Sequence, residues 1–370
     1  MRPKVGILTW HDPSNCGSTL QAYALHEYLC NQGIDAVIIN YIPQWCRGDC
    51  MQMPWNTLSL KRKIKRIVKG IPIVCYNYLP ECLLRRTNPF FPFYNHFCKM
   101  TVACTENTIA EVCKSFTTII SGSDQIWNPN FLDPIFLQNF ASEHTNKISY
   151  AASLGGKNLP EELVPLYKKH LLSFHAISVR ENEGRDLLNS IGISSEVHVD
   201  PTLLLDAKYY RSISKPVSHI KKPFAFCYFL PTDREYKSQV QQYVQEHNLH
   251  AVGFSADKKD YYWMEEVHAM GPREFLWLID NADMVFSNSY HATILSLIHH
   301  TPFFTFVRFA KNDTKCQNSR LDQLDSYFGT ADYYVEEKIP EKPIYPFAQF
   351  DEKLPALRNS AHEYLIKNIK

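Results

Sequence analysis

The chain has 370 residues, with 39 Lys and Arg against 38 Asp and Glu, a net charge of +1. Near-neutral charge excludes a general nucleic-acid binder, whose footprint is strongly basic. An apolar content of 45% excludes a disordered chain, and the length predicts two domains.

No apolar run approaches the roughly 20 residues that span a bilayer. Met1 to Trp10 reads as a first strand, not a signal peptide. Nine of the eleven cysteines precede residue 114, and none forms a Cys-x-x-Cys pair. Cys46 and Cys50 lie closest, with no His or Cys following at zinc-finger spacing. This predicts reduced thiols, a cytoplasmic protein and no metal site.

The first 40 residues open an α/β pattern. Val5 to Trp10 reads as a strand, His11 to Gly17 as a turn-rich loop, and Ser18 as the cap of a helix running to Asn31. Ala36 to Ile39 is the next strand, which implies a parallel pair. Residues 41–106 are aromatic, Pro-rich and poorly periodic, and read as an insertion. Within it, residues 61–69 form a basic helix with Leu58, Ile64, Ile67 and Val68 as a narrow apolar stripe.

The rhythm resumes with a helix at 107–115 and a strand at 117–120. Strands follow at 148–153, 176–180 and 197–199, and helices at 160–173 and 182–190. A second α/β unit is predicted from Pro223. Its strands are 224–229, 251–254, 284–287 and 303–306, and its helices 233–247, 272–281 and 290–299. A last helix covers 351–369. The expected architecture is two Rossmann-like doubly wound domains facing a cleft, over 1–210 and 211–350, with 351–370 packing back on the first.

Ligands of open α/β sheets bind where strands end and helices begin. Asn15 and Gly17 form one such junction, where Gly17 permits close backbone approach and the helix start offers free N–H groups to an anion. Ser121 to Asn128 is a second. Asp124, Gln125 and Asn128 suit sugar hydroxyls, and Trp127 offers a face on which a sugar ring can stack. At a third, Arg180 leaves a strand as a forked donor for a carboxylate or phosphate; a structural pair with Glu181 is the plain alternative. At the fourth, Ser287, Asn288 and Ser289 precede His291 in the first turn of an apolar helix, the clearest catalytic setting among fifteen histidines. Arg308, Lys311, Lys315 and Arg320 follow, as an anion site or a solvated loop.

Taken together, these segments resemble the polysaccharide pyruvyl transferase family. The matching pieces, spread in order over about residues 4–330, are residues 15–25, 121–128, 149–155, 177–181, 199–204 and 289–292, with Asn318-Ser319-Arg320 as a further element. The resemblance implies a GT-B-like fold and transfer of the pyruvyl group of phosphoenolpyruvate to a sugar, usually as a cyclic ketal, with release of phosphate. Acceptors in such a family are sugars of bacterial capsules, exopolysaccharides or cell-wall polymers, often while lipid-linked. It implies His291 as general acid/base and Arg180 as an anion holder. Arg320 matches a motif, whereas Lys311 rests on position only. Asp124 and Gln125 would meet the acceptor or orient a catalytic group. Some members carry an Arg two residues before the motif His, and here that residue is Ser289. A second cation must then come from elsewhere, Arg308 and Lys311 being candidates. No metal or cofactor is demanded.

The basic helix fits a lipid-linked acceptor, since six cations in residues 61–70 can lie on an anionic membrane surface at the inner face. A solvated helix face is the other reading. Two other functions fit the same fold: a nucleotide-sugar glycosyltransferase, with Glu265 and Glu266 as the only acidic pair to grip a ribose, and a non-catalytic sugar-binding member.

Overall fold

The computed structural model describes residues 3–11, 15–43, 90–156, 158–230, 236–255, 264–266, 270–309, 318–340 and 345–370. The basic segment 61–69, Lys311, Lys315 and the pair Cys46 and Cys50 lie outside the described residues. The six described cysteines, Cys16, Cys30, Cys98, Cys104, Cys113 and Cys227, are free thiols. Burial pushes the thiols of Cys104 and Cys113 up to about 12.

The first half contains β1 (Lys4–Leu8), α1 (Cys16–Asn31), β2 (Asp35–Ile38), α2 (Phe90–Phe97), α3 (Ile109–Cys113), β3 (Thr118–Ser121) and β4 (Asn146–Ser149). It continues with α4 (Val164–Leu171), β5 (Ser178–Val179), α5 (Asn182–Ser190), β6 (Glu196–Val197) and α6 (Ala207–Ile213). The strands β2-β1-β3-β4 form a parallel sheet, and β5-β6 a short parallel pair joined to it by bridges Ile148–Ala176 and Ala152–Val179. Bridges from Ile38 to Met100 and from Tyr41 to Cys104 extend the other edge. The end of the predicted insertion is therefore part of the sheet.

The second half holds β7 (Phe224–Phe229), α7 (Lys237–Glu246), β8 (His250–Ser255), β9 (Glu265–Glu266), α8 (Pro272–Asn281) and β10 (Met284–Ser287). After these come α9 (Tyr290–His299), β11 (Phe303–Phe306), α10 (Ser319–Phe328), β12 (Tyr334–Val335) and α11 (Phe347–Asn368). Its sheet runs β12-β11-β10-β7-β8-β9, all parallel. Helices cover both faces of such a sheet, so central strands such as Phe224–Phe229 and Phe303–Phe306 are nearly continuous apolar runs.

In each half the strand order reverses beside the first strand. The reversal falls between β1 and β3 in one sheet and between β7 and β10 in the other. Such points leave a crevice at the carboxyl ends of the strands. Asn288 bridges the second one: its Oδ1 accepts from Leu230 N at 2.7 Å and its Nδ2 donates to Leu230 O at 2.9 Å.

Helix α1 is buried almost all round, because the first sheet covers one side and α8 and α9 of the second half cover the other. Its buried polar residues Ser18, Thr19, Gln21 and His26 are consequently interior groups that require partners. The His26 Nε2 accepts from Lys99 N at 3.1 Å, and burial, with Lys99 adding to it, brings that imidazole down to about 4. The ring is therefore neutral at pH 7.

The final helix α11 reaches back to the first sheet. Tyr364 OH donates to Ser149 O at 2.8 Å, and Thr118 Oγ1 donates to Lys370 O at 2.8 Å. Arg358 donates to Leu203 O at 2.6 Å and Leu205 O at 2.8 Å.

Candidate functional site

The two crevices face each other across the start of α1. Asn15, not Ser18, caps that helix: its Oδ1 accepts from Gly17 N at 2.9 Å and from Ser18 N at 3.3 Å. This frees the Ser18 hydroxyl, which donates to Asp124 Oδ2 at 2.6 Å. Gly17 lies directly against the imidazole of His291. A Cβ at position 17 would stand 2.7 Å from His291 Cγ and closer still to Nδ1. Only glycine lets the backbone of the first half approach the histidine of the second this closely.

The loop after β3 is built by backbone constraint. Gly122 has φ +135°, and a Cβ there would run into Tyr150 O. Asp124 adopts φ +62°, a left-handed conformation that Asp tolerates better than most residues. Gln21 holds this loop to β1: its Oε1 accepts from Ser123 N at 3.3 Å and its Nε2 donates to Trp10 O at 2.7 Å. Thr9 Oγ1 donates to Ser123 O at 3.0 Å.

Arg180 leaves β5 into the crevice and is 1% exposed. Its Nε donates to Glu181 Oε1 at 2.8 Å and its Nη1 to Asp200 Oδ2 at 2.7 Å. Both plain and functional readings of Arg180 thus hold in part: it pairs with Glu181, yet its Nη2 is buried with no hydrogen-bond partner. Burial would favour loss of the proton, but Glu181, Tyr290 and Asp200 outweigh it and hold Arg180 charged. Its guanidinium lies 4.6 Å from the centroid of the Tyr290 ring, and that of Arg320 lies 5.6 Å from the same ring. Arg320 is half-buried, and burial and then Arg180 bring it down to about 10. Two like charges gathered on one aromatic ring oppose each other, and a bound anion would relieve both.

Asp200 joins the pieces. It is buried, and its Oδ1 accepts from Thr202 N at 3.0 Å and Thr202 Oγ1 at 2.7 Å. Its Oδ2 accepts from Arg180 and, at 3.2 Å, from Ser123 Oγ, and stands 3.5 Å from His291 Nε2. Burial alone would raise this carboxyl; His291, Arg180 and the Thr202 N–H outweigh it and hold it well below the ordinary range. His291 Nε2 itself is buried without a hydrogen-bond partner.

Sequence reasoning singled out His291, Arg180, Arg320, Asn15, Gly17 and Asp124, and these do come together. Ser289 is buried at the start of α9, and its carbonyl accepts from Thr293 N at 3.1 Å. Arg308 is half-buried, with its guanidinium 5.2 Å from the Phe309 ring. Gln125 Oε1 accepts from Asn128 Nδ2 at 3.1 Å.

Two expectations need correction. Trp127 is 0% exposed, donates from Nε1 to Phe136 O at 2.9 Å and packs edge-on to Phe174, so no face is open to a sugar. Asn128 is also interior, at 1% exposure, and its Oδ1 accepts from Asn130 N at 3.0 Å, which shapes the loop. The sequence pointed to Glu181 only as a structural partner of Arg180 and to Ser18 only as a helix cap, and gave no site role to Asp200, Ser123 or Tyr290. A signal was present for Asp200: Asp-Pro-Thr directly follows a strand, in a segment that matches the family. Among the described residues, no three His, Cys, Asp or Glu side chains gather as a metal-binding group.

The comparisons with known proteins bear on the fold and the family. No curated protein matches the chain. Among solved structures it is similar to UDP-N-acetylglucosamine 2-epimerase from Rickettsia bellii, with a TM-score of 0.51 and 9% identity over 100% of this chain and 97% of that one. It is also similar to UDP-GlcNAc 2-epimerase from Neisseria meningitidis bound to UDP-GlcNAc, with a TM-score of 0.49 and 6% identity over 100% of this chain and 99% of that one. The first likeness shows the fold alone, two Rossmann-like halves in a GT-B arrangement. The model of one family, polysaccharide pyruvyl transferase, matches residues 15–308, and the chain belongs to that family.

Proposed function

We propose that this protein transfers the pyruvyl group of phosphoenolpyruvate to two hydroxyls of a polysaccharide sugar, releasing phosphate. The observation that carries this reading is the buried, unpartnered Nη2 of Arg180 beside Arg320 on one aromatic ring, within the site that holds His291. A buried donor without a partner costs about 1–3 kcal/mol, more when charged, and an anionic ligand removes that cost. Phosphoenolpyruvate brings a phosphate and a carboxylate. Arg180 and Arg320 take one anionic group; the turn at Asn15 and Gly17, expected from the sequence to offer free N–H groups, is not open to the other, because Asn15 Oδ1 already accepts from Gly17 N and Ser18 N.

The chemistry needs an addition and then a displacement at C2. One sugar hydroxyl adds to C2, giving its proton to the base, while a proton is delivered to C3, which becomes the methyl group. The second hydroxyl then forms the second C2–O bond as the C2–O bond to phosphate breaks, and its proton leaves to the base. His291 supplies and removes these protons. Arg180 and Arg320 stabilise the charge that collects on the departing phosphate. Arg308 and Lys311 are proposed as further donor contacts, and Asp124 and Gln125 as acceptor contacts. The acceptor is proposed to be lipid-linked at the inner face of a membrane, with 61–69 on its surface.

The nucleotide-sugar reading has less support. Glu265 is on an edge strand, and its Oε2 lies 2.6 Å from His250 Nε2. Thermal denaturation separates the two readings, because a ligand that binds only the folded state raises the melting temperature. Phosphoenolpyruvate should stabilise the protein, and UDP should not. Arg180→Lys keeps the charge but loses the fork, and should abolish the shift. Stabilisation by UDP alone would contradict the proposal.

A further inference from the structure

With Trp127 buried, the platform expected after β3 is closed to the acceptor, and a cavity at the edge of the same sheet offers aromatic rings in its place. It has a volume of about 700 Å³ and is lined by Trp10, Tyr41, Glu106, Phe131, Leu132, Asp133 and Pro134. It opens at the carboxyl edge of the first sheet, where Trp10 follows β1 and Tyr41 follows β2. We infer that this cavity is the acceptor subsite and takes a hexose ring or short glycan. The inference rests on the pyruvyl-transfer reading of the neighbouring site and adds where its second substrate binds.

The lining has the chemistry of a sugar site. A hexose presents apolar C–H faces and a rim of hydroxyls. Aromatic rings cover the faces, and carboxylates accept from the rim. The cavity offers both. Trp10 and Tyr41 stand against the buried Phe136 ring, at centroid distances of 6.2 and 5.8 Å, which fixes their planes from beneath. Phe131 is 46% exposed on the cavity wall, so its ring is open to a ligand there. Asp133 is anchored: its Oδ2 accepts from Tyr41 OH at 2.6 Å and its Oδ1 from Ile135 N at 3.0 Å. Glu106 is exposed on the rim.

The cavity adjoins the reaction site through a single residue. The Trp10 carbonyl accepts from Gln21 Nε2, and the Gln21 Oε1 accepts from Ser123 N in the loop that carries Asp124. A sugar stacked on Trp10 is therefore held on a residue that Gln21 ties to the loop carrying Asp124. Aromatic rings give the grip, and the crevice supplies the chemistry.

Saturation-transfer NMR with methyl galactosides, glucosides and mannosides, on the full chain, tests this directly. At least one glycoside should bind the wild type. Phe131→Ala and Trp10→Ala should each weaken it about tenfold, the loss expected when an aromatic stacking partner is removed. Phe131 is exposed, so its replacement leaves the core intact and keeps the test valid if Trp10→Ala misfolds. The melting shift with phosphoenolpyruvate should be unchanged in Phe131→Ala. Glycoside binding equal in wild type and both variants, or no binding from the whole panel, overturns the subsite. Glycoside binding weakened by the variants but no shift with phosphoenolpyruvate keeps the subsite and overturns the pyruvyl-transfer reading instead.

Discussion

Gly17→Ala should lower phosphate release about a hundredfold while the protein remains folded. Position 17 is in the first turn of α1, where alanine is the better helix former by ~1 kcal/mol. Local helix stability therefore does not predict damage. The damage comes from across the cleft, because the new Cβ would stand 2.7 Å from His291 Cγ. Carbon atoms in proteins do not approach so closely, so either the imidazole turns away or the two halves separate. A displacement of about 1 Å at a reacting group can cost 10²-fold. Steady-state rates with circular dichroism as the folding control check this. A variant as active as the wild type would mean that the close approach of Gly17 and His291 is not part of the working geometry.

The second large effect concerns stability. Asp200→Ala should destabilise the protein by about 3–5 kcal/mol, the usual cost of breaking a buried ion pair by removing one partner. The reason is the charge left behind. Arg180 is 1% exposed and would keep Glu181 as its hydrogen-bonded counter-charge, with Asp124 acting from further off, while Ser123 and Thr202 lose their acceptor. The pH dependence has a definite sign. The folded-state carboxyl of Asp200 is held below its ordinary value, so its contribution is complete above the unfolded value of about 3.9 and is lost as pH falls below that. The gap between wild type and variant in urea denaturation should therefore be widest near pH 7 and close in acid. Adding Arg180→Met should recover part of the loss, since the orphaned charge is then gone. A small gap that does not vary with pH would contradict this role.

Much of the second half is legible in the sequence, for a physical reason. The predicted elements 224–229, 272–281, 284–287, 290–299 and 303–306 coincide with β7, α8, β10, α9 and β11. These are fully buried parallel strands and helices with clear breakers between them. Pro272 starts one helix, and Asn288 lies between β10 and α9. The first half is harder. The strand predicted over 176–180 shrinks to Ser178–Val179, because only two residues pair with β6. Helix α1 shows little amphipathic pattern, since neighbours cover both its sides.

The site was legible where a motif falls at a strand end, as with Arg180 and His291. It was not legible where a partner is remote. Asp200 lies twenty residues from Arg180 and ninety-one from His291 in sequence; the pairing of β5 with β6 brings the first two together, and the packing of the second half on the first adds His291. Trp127 shows the opposite difficulty. A tryptophan in a polar loop looks like a platform, but the hydrogen bond from its Nε1 to Phe136 O turns it inward. Nothing local distinguishes that from a ring facing the crevice.

The proposed role of His291 and the arginines beside it is acceptor-dependent pyruvyl transfer. Phosphate release from phosphoenolpyruvate, with and without a panel of hexose glycosides, tests it most directly, with His291→Ala run alongside. Release is expected only in the presence of an acceptor, with a loss of about 10²–10⁴-fold in the variant, the range typical of a missing general acid/base. Release in His291→Ala at the wild-type rate, or release without any acceptor, would contradict it.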